Sequence, residues 1–291
     1  MVDSNFIEFH DVTKVFGENS ALNKVNFKVQ RNSIIGLLGP NGSGKSTLMK
    51  ILGGLIIDWE GDILLENKSI KGNQRILGRA GFLIENPSFY EYLNAKENLE
   101  ILARLTKTNT YRISEVLKMM NLLDNNNKKV SEFSYGMKQR LGIAQAIIHD
   151  PDILFLDEPN NGLDPVGIIQ MNETIKSLNN MGKTIFISTH ILDNVRELCS
   201  HIAVLNDGKL ILYDSIKDLI TNSKRFVIKS EKVKELRNHI TTLNDIKIVG
   251  FNNYHVVVDT DIDLHELVYK ISTKHKITGV SKDLDITRLF N

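Results

Sequence analysis

The chain has 291 residues, with 36 Lys plus Arg against 35 Asp plus Glu and a formal net charge of +1, so composition gives no bias toward nucleic acid. An apolar fraction of 42% and a charged fraction of 24% suit a globular protein with room for one or two domains, and Cys199, the only cysteine, rules out an internal disulfide and fits a reducing compartment. Residues 1–5 lack the basic start and apolar stretch of a secretory leader, and no apolar run approaches the roughly 18–20 residues of a membrane-spanning helix, so work at a membrane would need another chain to cross it.

Apolar and polar residues alternate over 6–12 and 25–29, which predicts antiparallel strands ahead of the first motif. The apolar run 33–38 predicts a buried strand, and 46–52 predicts a helix. Between them stand Gly39, Pro40, Asn41, Gly42, Ser43, Gly44, Lys45, Ser46 and Thr47, which fit the phosphate-loop pattern G-x-x-x-x-G-K-[ST] in its required strand–loop–helix setting. Glycines let backbone N–H groups curl around phosphate oxygens, and the helix start adds partial positive charge. Lys45 is placed to reach the β- and γ-phosphates, and the Ser46 hydroxyl to ligate Mg²⁺.

Further strands are predicted at 61–65 and 80–84, and a helical pattern from about Asn94 to Leu123, before a polar linker at 125–129. Residues 134–149 predict a helix, and 152–156 a buried strand ending on Asp157 and Glu158. Carboxylates at the carboxyl end of such a strand lie where open α/β sheets bind ligands. There Asp157 would hold Mg²⁺ through water, and Glu158 would orient and deprotonate the attacking water. A helix over 172–179 precedes another core strand, 184–188, and His190 just beyond it is placed to touch the γ-phosphate. Strands alternating with helices predict a largely parallel sheet. Composition shifts near 221–223. The C-terminal segment has the order βαββαβ, a small α+β module of ferredoxin-like type over 223–291, set after a nucleotide-binding domain over 1–222. No internal repeat is visible, so each chain carries one nucleotide-binding unit.

The run Phe133-Ser134-Tyr135-Gly136-Met137-Lys138-Gln139-Arg140 resembles the L-S-G-G-Q-x-Q-R signature of ATP-binding cassette (ABC) ATPases. Ser134, Gly136, Gln139 and Arg140 match, whereas Tyr135 and Met137 depart from the usual Gly and Gln. With the phosphate loop, Asp157-Glu158, Asn161–Asp164 and His190, the resemblance covers roughly residues 6–215. It implies an α/β fold of the P-loop NTPase type: a RecA-like core with a mixed sheet, an antiparallel β subdomain and a helical signature subdomain. It also implies ATP and Mg²⁺ as cofactors, with Phe16 stacking on adenine. In this family two cassettes close head to tail, so that Ser134 and Gly136 of one chain would cap the γ-phosphate held by another, whether a twin or a related chain. A separate multi-helix transmembrane permease is implied, with residues 86–98 receiving it and this chain held at the cytoplasmic face of the membrane, and no nucleic acid.

Most cassettes place Gln where this chain has Glu85, which keeps an oxygen ligand for Mg²⁺ but loses the amide donor. Residues 85–99, the run 137–142 and the C-terminal appendage are similar to the bacitracin-resistance and lantibiotic-immunity branch of exporters. That likeness implies the ATP-hydrolysing subunit of an exporter acting on a peptide antibiotic. An exporter of another substrate, and a non-transport cassette acting on nucleic acid, stay open as alternatives.

Overall fold

A computed structural model of the chain describes residues 5–73, 78–84, 87–125, 127–189 and 192–284, the side chains of 192–194 excepted. Contacts divide it into one unit up to Tyr213 and a second from Asp214.

The first unit opens with β1 (Ile7–Phe16) and β2 (Asn19–Val29), which pair antiparallel, followed by β3 (Ile34–Leu38) and α1 (Lys45–Leu52). Strands β4 (Glu60–Leu65) and β5 (Lys68–Ser69) complete a four-stranded antiparallel sheet in the order β2-β1-β4-β5. Next come β6 (Ala80–Leu83), α2 (Ala95–Leu105), α3 (Tyr111–Met119), α4 (Tyr135–Ile147), β7 (Ile153–Asp157) and α5 (Pro165–Asn180). They are followed by β8 (Thr184–Thr189), α6 (Leu192–Leu198), β9 (His201–Asn206) and β10 (Lys209–Ser215). The six-stranded sheet runs β10-β9-β3-β8-β7-β6, and the pairs from β9 to β6 are parallel.

Both faces of that sheet are covered, which is why its strands read as unbroken apolar runs rather than alternating ones. Ile34, Leu154, Leu156, Ile185 and Ile187 pack on one side with Leu99, Val116, Leu141 and Ile175 of the helices. Ile35, Leu37, Ile153, Phe155 and Phe186 pack on the other, against Leu48 and Met49 of α1 and Phe9, Phe27 and Ile63 of the antiparallel sheet. A row of rings ties the layers on this side: Phe82–Phe155 and Phe155–Phe186 at 5.2 Å, Phe9–Phe186 at 6.2 Å and Phe9–Phe27 stacked at 4.0 Å.

The helical stretch predicted from Asn94 to Leu123 is two helices. Asn94 and Glu97 cap the start of α2 reciprocally, with bonds of 2.9 and 2.8 Å. The break follows from two threonines and a lysine: Thr106 Oγ1 donates back to the Leu102 carbonyl, Lys107 turns left-handed at φ 55°, and the Thr108 N–H closes on the Ala103 carbonyl at 2.8 Å. Helix α5 begins well before the predicted residue 172, because Asp164 caps it through the Gly167 N–H at 2.7 Å and Pro165 occupies its first turn.

The second unit contains α7 (Ile216–Asn222), β11 (Arg225–Ser230), α8 (Val233–Ile240), β12 (Ile246–Phe251), β13 (His255–Thr260), α9 (Leu264–Ser272) and β14 (Ile277–Lys282). Its sheet runs β12-β13-β11-β14 with every pair antiparallel. Phe226, Ile228, Val256 and Val258 face Leu236, Ile240, Leu267 and Ile271 of the two longer helices, which gives this unit its own core. Arg225 and Asp259 sit directly opposite in register, and the guanidinium grips the carboxylate at 2.8 and 3.2 Å.

Two substitutions test these packing assignments. A Cβ on Gly81 would lie 2.0 Å from the Ala146 carbonyl oxygen, so Gly81→Ala has to push α4 off β6 and is expected to cost about 2–3 kcal/mol in denaturant unfolding. An unchanged midpoint would contradict the contact. Asn94→Ala removes the cap of α2 and should cost about 1 kcal/mol in the same measurement.

Candidate active site

The carboxyl edge of the parallel sheet builds the site, because adjacent strands end level there. Leu38 pairs with Thr189, and Ser188 pairs with Asp157, so the loop after β3 and the acids after β7 emerge on either side of β8. Positive φ at Gly39, Gly42 and Gly44 bends the first loop back on itself. Gly44 has no room for a side chain: at φ 106° its missing Cβ would lie 2.5 Å from the Ala21 carbonyl oxygen. It is also the N-cap of α1, and no side chain caps that helix start, which leaves its N–H groups and partial positive charge for an anion.

Lys45, the first residue of α1, is only 7% exposed. Its Nζ donates to the carbonyls of Gly39 at 2.8 Å and Pro40 at 3.0 Å. Burial lowers its pKa, and the negative charges of Glu158 and Asp157 oppose that shift. The lysine is thus a desolvated cation facing two carboxylates, ready to gain from the added negative charge of a phosphate.

The acids are fixed by Ser188. Its Oγ donates to Asp157 Oδ1 and accepts the Glu158 N–H at 3.0 Å. Glu158 adopts φ 48°, a left-handed conformation that costs a non-glycine residue energy and turns the chain sharply off the end of β7.

A cleft of about 400 Å³ gathers these groups. Its walls are Asn41, Gly42, Gly44, Lys45, Ser46 and Thr47 from the loop, Asp157, Glu158 and Asn161 from the β7 side, and Tyr135 and Gln139 from α4. Gly39, Pro40 and Ser43 support the loop without forming the wall, and Ser43 is buried. Ser46 and Asp157 present a hydroxyl and a carboxylate to the same space. These are hard oxygen donors of the kind Mg²⁺ takes when phosphates and water complete its shell. No group of three or more His, Cys, Asp or Glu that could hold a metal ion occurs among the described residues.

The remaining predicted residues stand elsewhere. Ser134 caps α4, its Oγ accepting the Met137 N–H at 3.3 Å, and Gly136 lies beside Leu163; neither lines the cleft. Phe16 is half-exposed at the end of β1, with Lys14 Nζ 4.8 Å from its ring centroid, and is likewise outside the cleft wall. Glu85 and His190 lie outside the described residues. Sequence reasoning did not single out Ser188, Tyr135, Gln139 or Asn161 as site residues. Ser188 had a signal, a hydroxyl ending an otherwise apolar strand beside the one that carries the acids.

The ABC transporter family profile matches residues 22–161. The chain is 43% identical over 213 residues to the bacitracin transport ATP-binding protein BcrA of Bacillus licheniformis, covering 72% of this chain and 69% of that protein. It is 39% identical over 216 residues to the lantibiotic transport ATP-binding protein SrtF of Streptococcus pyogenes, covering 73% and 93%. An uncharacterised ABC transporter ATP-binding protein of Bacillus subtilis, YhcH, is 38% identical over 215 residues, covering 73% and 70%. Among solved structures, a bacterial ABC transporter cassette determined as a dimer superposes with a TM-score of 0.65 at 29% identity, covering 72% of this chain and 98% of that one. Phosphate loop, paired acids and relatives agree: the chain belongs to the ABC transporter ATP-binding family and is an ATP-hydrolysing cassette subunit.

Proposed function

We propose that this cassette is the motor of a bacterial exporter that gives resistance or self-immunity to a peptide antibiotic of the bacitracin or lantibiotic type. The observation that carries this reading is the likeness to the bacitracin and lantibiotic transport proteins, which extends over more than two-thirds of the chain. No helix among the described residues is long and apolar enough to cross a membrane. The export path would therefore be a separate permease, with the cassette held at its cytoplasmic face.

The cleft supports roles for Lys45, Ser46, Asp157 and Glu158. Lys45 and the N–H groups at the start of α1 bind the phosphates. Ser46 and Asp157 would hold Mg²⁺, which when bound offsets phosphate charge, and Glu85 is proposed as a third oxygen ligand. Glu158 takes the proton of the attacking water while Ser188 fixes the backbone beneath it. His190 is assigned the γ-phosphate and Phe16 the adenine face. Ser134 and Gly136, at the start of α4, do not line their own cleft, and they would serve the γ-phosphate held by a second cassette, identical or related. Closure on ATP and opening after hydrolysis would then drive the permease. An exporter of another cargo stands as the second reading, since the chain is about as similar to an uncharacterised ABC transporter ATP-binding protein.

Glu158→Gln should lower ATPase turnover by about 10²–10⁴-fold and accumulate an ATP-bound dimer in size-exclusion chromatography. Full hydrolysis by that variant would remove Glu158 as the base. Co-expressed with its permease in a sensitive strain, the wild-type chain should raise the bacitracin or lantibiotic concentration needed to stop growth, and Glu158→Gln should not. A fully active ATPase that leaves both sensitivities unchanged would move the assignment to another cargo.

A further inference from the structure

Two side chains of α4, Tyr135 and Gln139, line the cleft of their own chain, although Ser134 and Gly136 beside them do not. Gln139 is only 4% exposed, yet it forms part of the wall together with Lys45, Ser46, Asp157 and Glu158. Its Nε2 donates to the Tyr135 hydroxyl at 2.9 Å, one helical turn back. Its Oε1 is buried and finds no partner among the described residues. Buried amide oxygens are almost always satisfied, so an orphan on a cleft wall marks a place for a donor that comes with the ligand.

The chemistry of that donor is restricted. Phosphate oxygens only accept at neutral pH, and so does an amide carbonyl, so Oε1 cannot bind phosphate directly. Water can bridge them, donating one proton to the carbonyl while its other contacts go to the nucleotide or its metal.

Tyr135 links this atom to a second element. A Cβ on Gly162 would lie 2.9 Å from the Tyr135 ring, so the ring lies flush on the loop that carries Asn161 into the cleft and continues to Asp164. Glycine, the usual residue at position 135 in the signature, offers neither a hydroxyl for Gln139 nor a ring for Gly162.

We propose that Gln139 and Tyr135 are positioning residues that register nucleotide in the chain's own cleft: Gln139 Oε1 accepts a hydrogen bond from a water bound with the magnesium nucleotide, and the Tyr135 ring passes the ordering to the loop 160–164. The same helix start would then serve a partner's phosphate with its N–H groups while its side chains monitor its own site. This rests on the cleft being the nucleotide site.

Hydrogen–deuterium exchange on the full chain tests it, with Mg·ADP and Mg·AMP-PNP as probes. In the wild type both should slow exchange over 160–164. Gln139→Met keeps the volume but removes the acceptor. It should abolish most of that slowing with at least one of the nucleotides and raise the dissociation constant of that nucleotide about threefold to tenfold, with the nucleotide-free melting temperature unchanged. Tyr135→Phe keeps the ring on Gly162 but releases the Gln139 amide, and should show a partial loss of the slowing. If Gln139→Met does not fold, Tyr135→Phe decides alone. Wild-type slowing and affinity with both nucleotides, in whichever of these variants folds, overturn the proposal. A wild-type chain that binds neither nucleotide overturns it too, and the site assignment with it.

Discussion

The level ending of three parallel strands, β3, β8 and β7, is the constraint on which the site depends. Each strand contributes one part at the same height: the phosphate loop from β3, the Ser188 hydroxyl from β8 and the two carboxylates from β7. A one-residue slip in either pairing would turn Asp157 or Ser188 to the other face of the sheet. The slip is opposed by the core itself, since it would exchange Phe155 with Leu154 and Phe186 with Ile187 between two clusters packed to different shapes. The hydrophobic layers on both sides of the sheet therefore set the geometry of the polar groups at its edge.

At that edge the electrostatics are balanced against burial. Lys45 is almost fully enclosed, and what keeps it charged is two loop carbonyls and two facing acids. Each of those acids is in turn tied to Ser188, Asp157 through its carboxylate and Glu158 through its backbone. In the proposed site, a triphosphate entering with a divalent cation would add negative charge beside the lysine and positive charge beside Asp157. The enclosed groups then meet their preferred partners without having to move far. Glu158 holds a left-handed backbone conformation at the same edge, a local strain that the surrounding strands maintain.

Much of this was legible because it is local. The phosphate loop needs only eight consecutive residues, and the four apolar residues before Asp157-Glu158 announce a buried strand that ends on acids. The antiparallel pairing of β1 and the alternation of the C-terminal unit could be read by period alone. What escaped depends on tertiary context. The first turns of α5 expose Val166 and Ile169 to solvent and blur the helical stripe, so the start at Pro165 was lost even though Asp164-Pro165 is a capping signal. The break between α2 and α3 lies in five polar residues, 106–110, which interrupt the apolar spacing without a Gly or Pro to mark a helix end. Helix α6 and strand β9, which begins within three residues of its end, are missing from the predicted elements, although the apolar run Ile202–Leu205 is a strand signal. Tyr135 and Gln139 are visibly one turn apart on a helix, but the cleft they face is set by how α4 packs on β6 through Gly81, which no local pattern contains.

The central claim is that one buried lysine at the start of α1, facing Asp157 and Glu158, is the anchor of a nucleotide. Isothermal titration with Mg·ATP measures it directly, comparing the wild type with Lys45→Met. Loss of a charge-assisted contact to phosphate should weaken binding by about 10- to 100-fold, with the circular dichroism spectrum unchanged. Equal affinity in the two proteins would contradict the account.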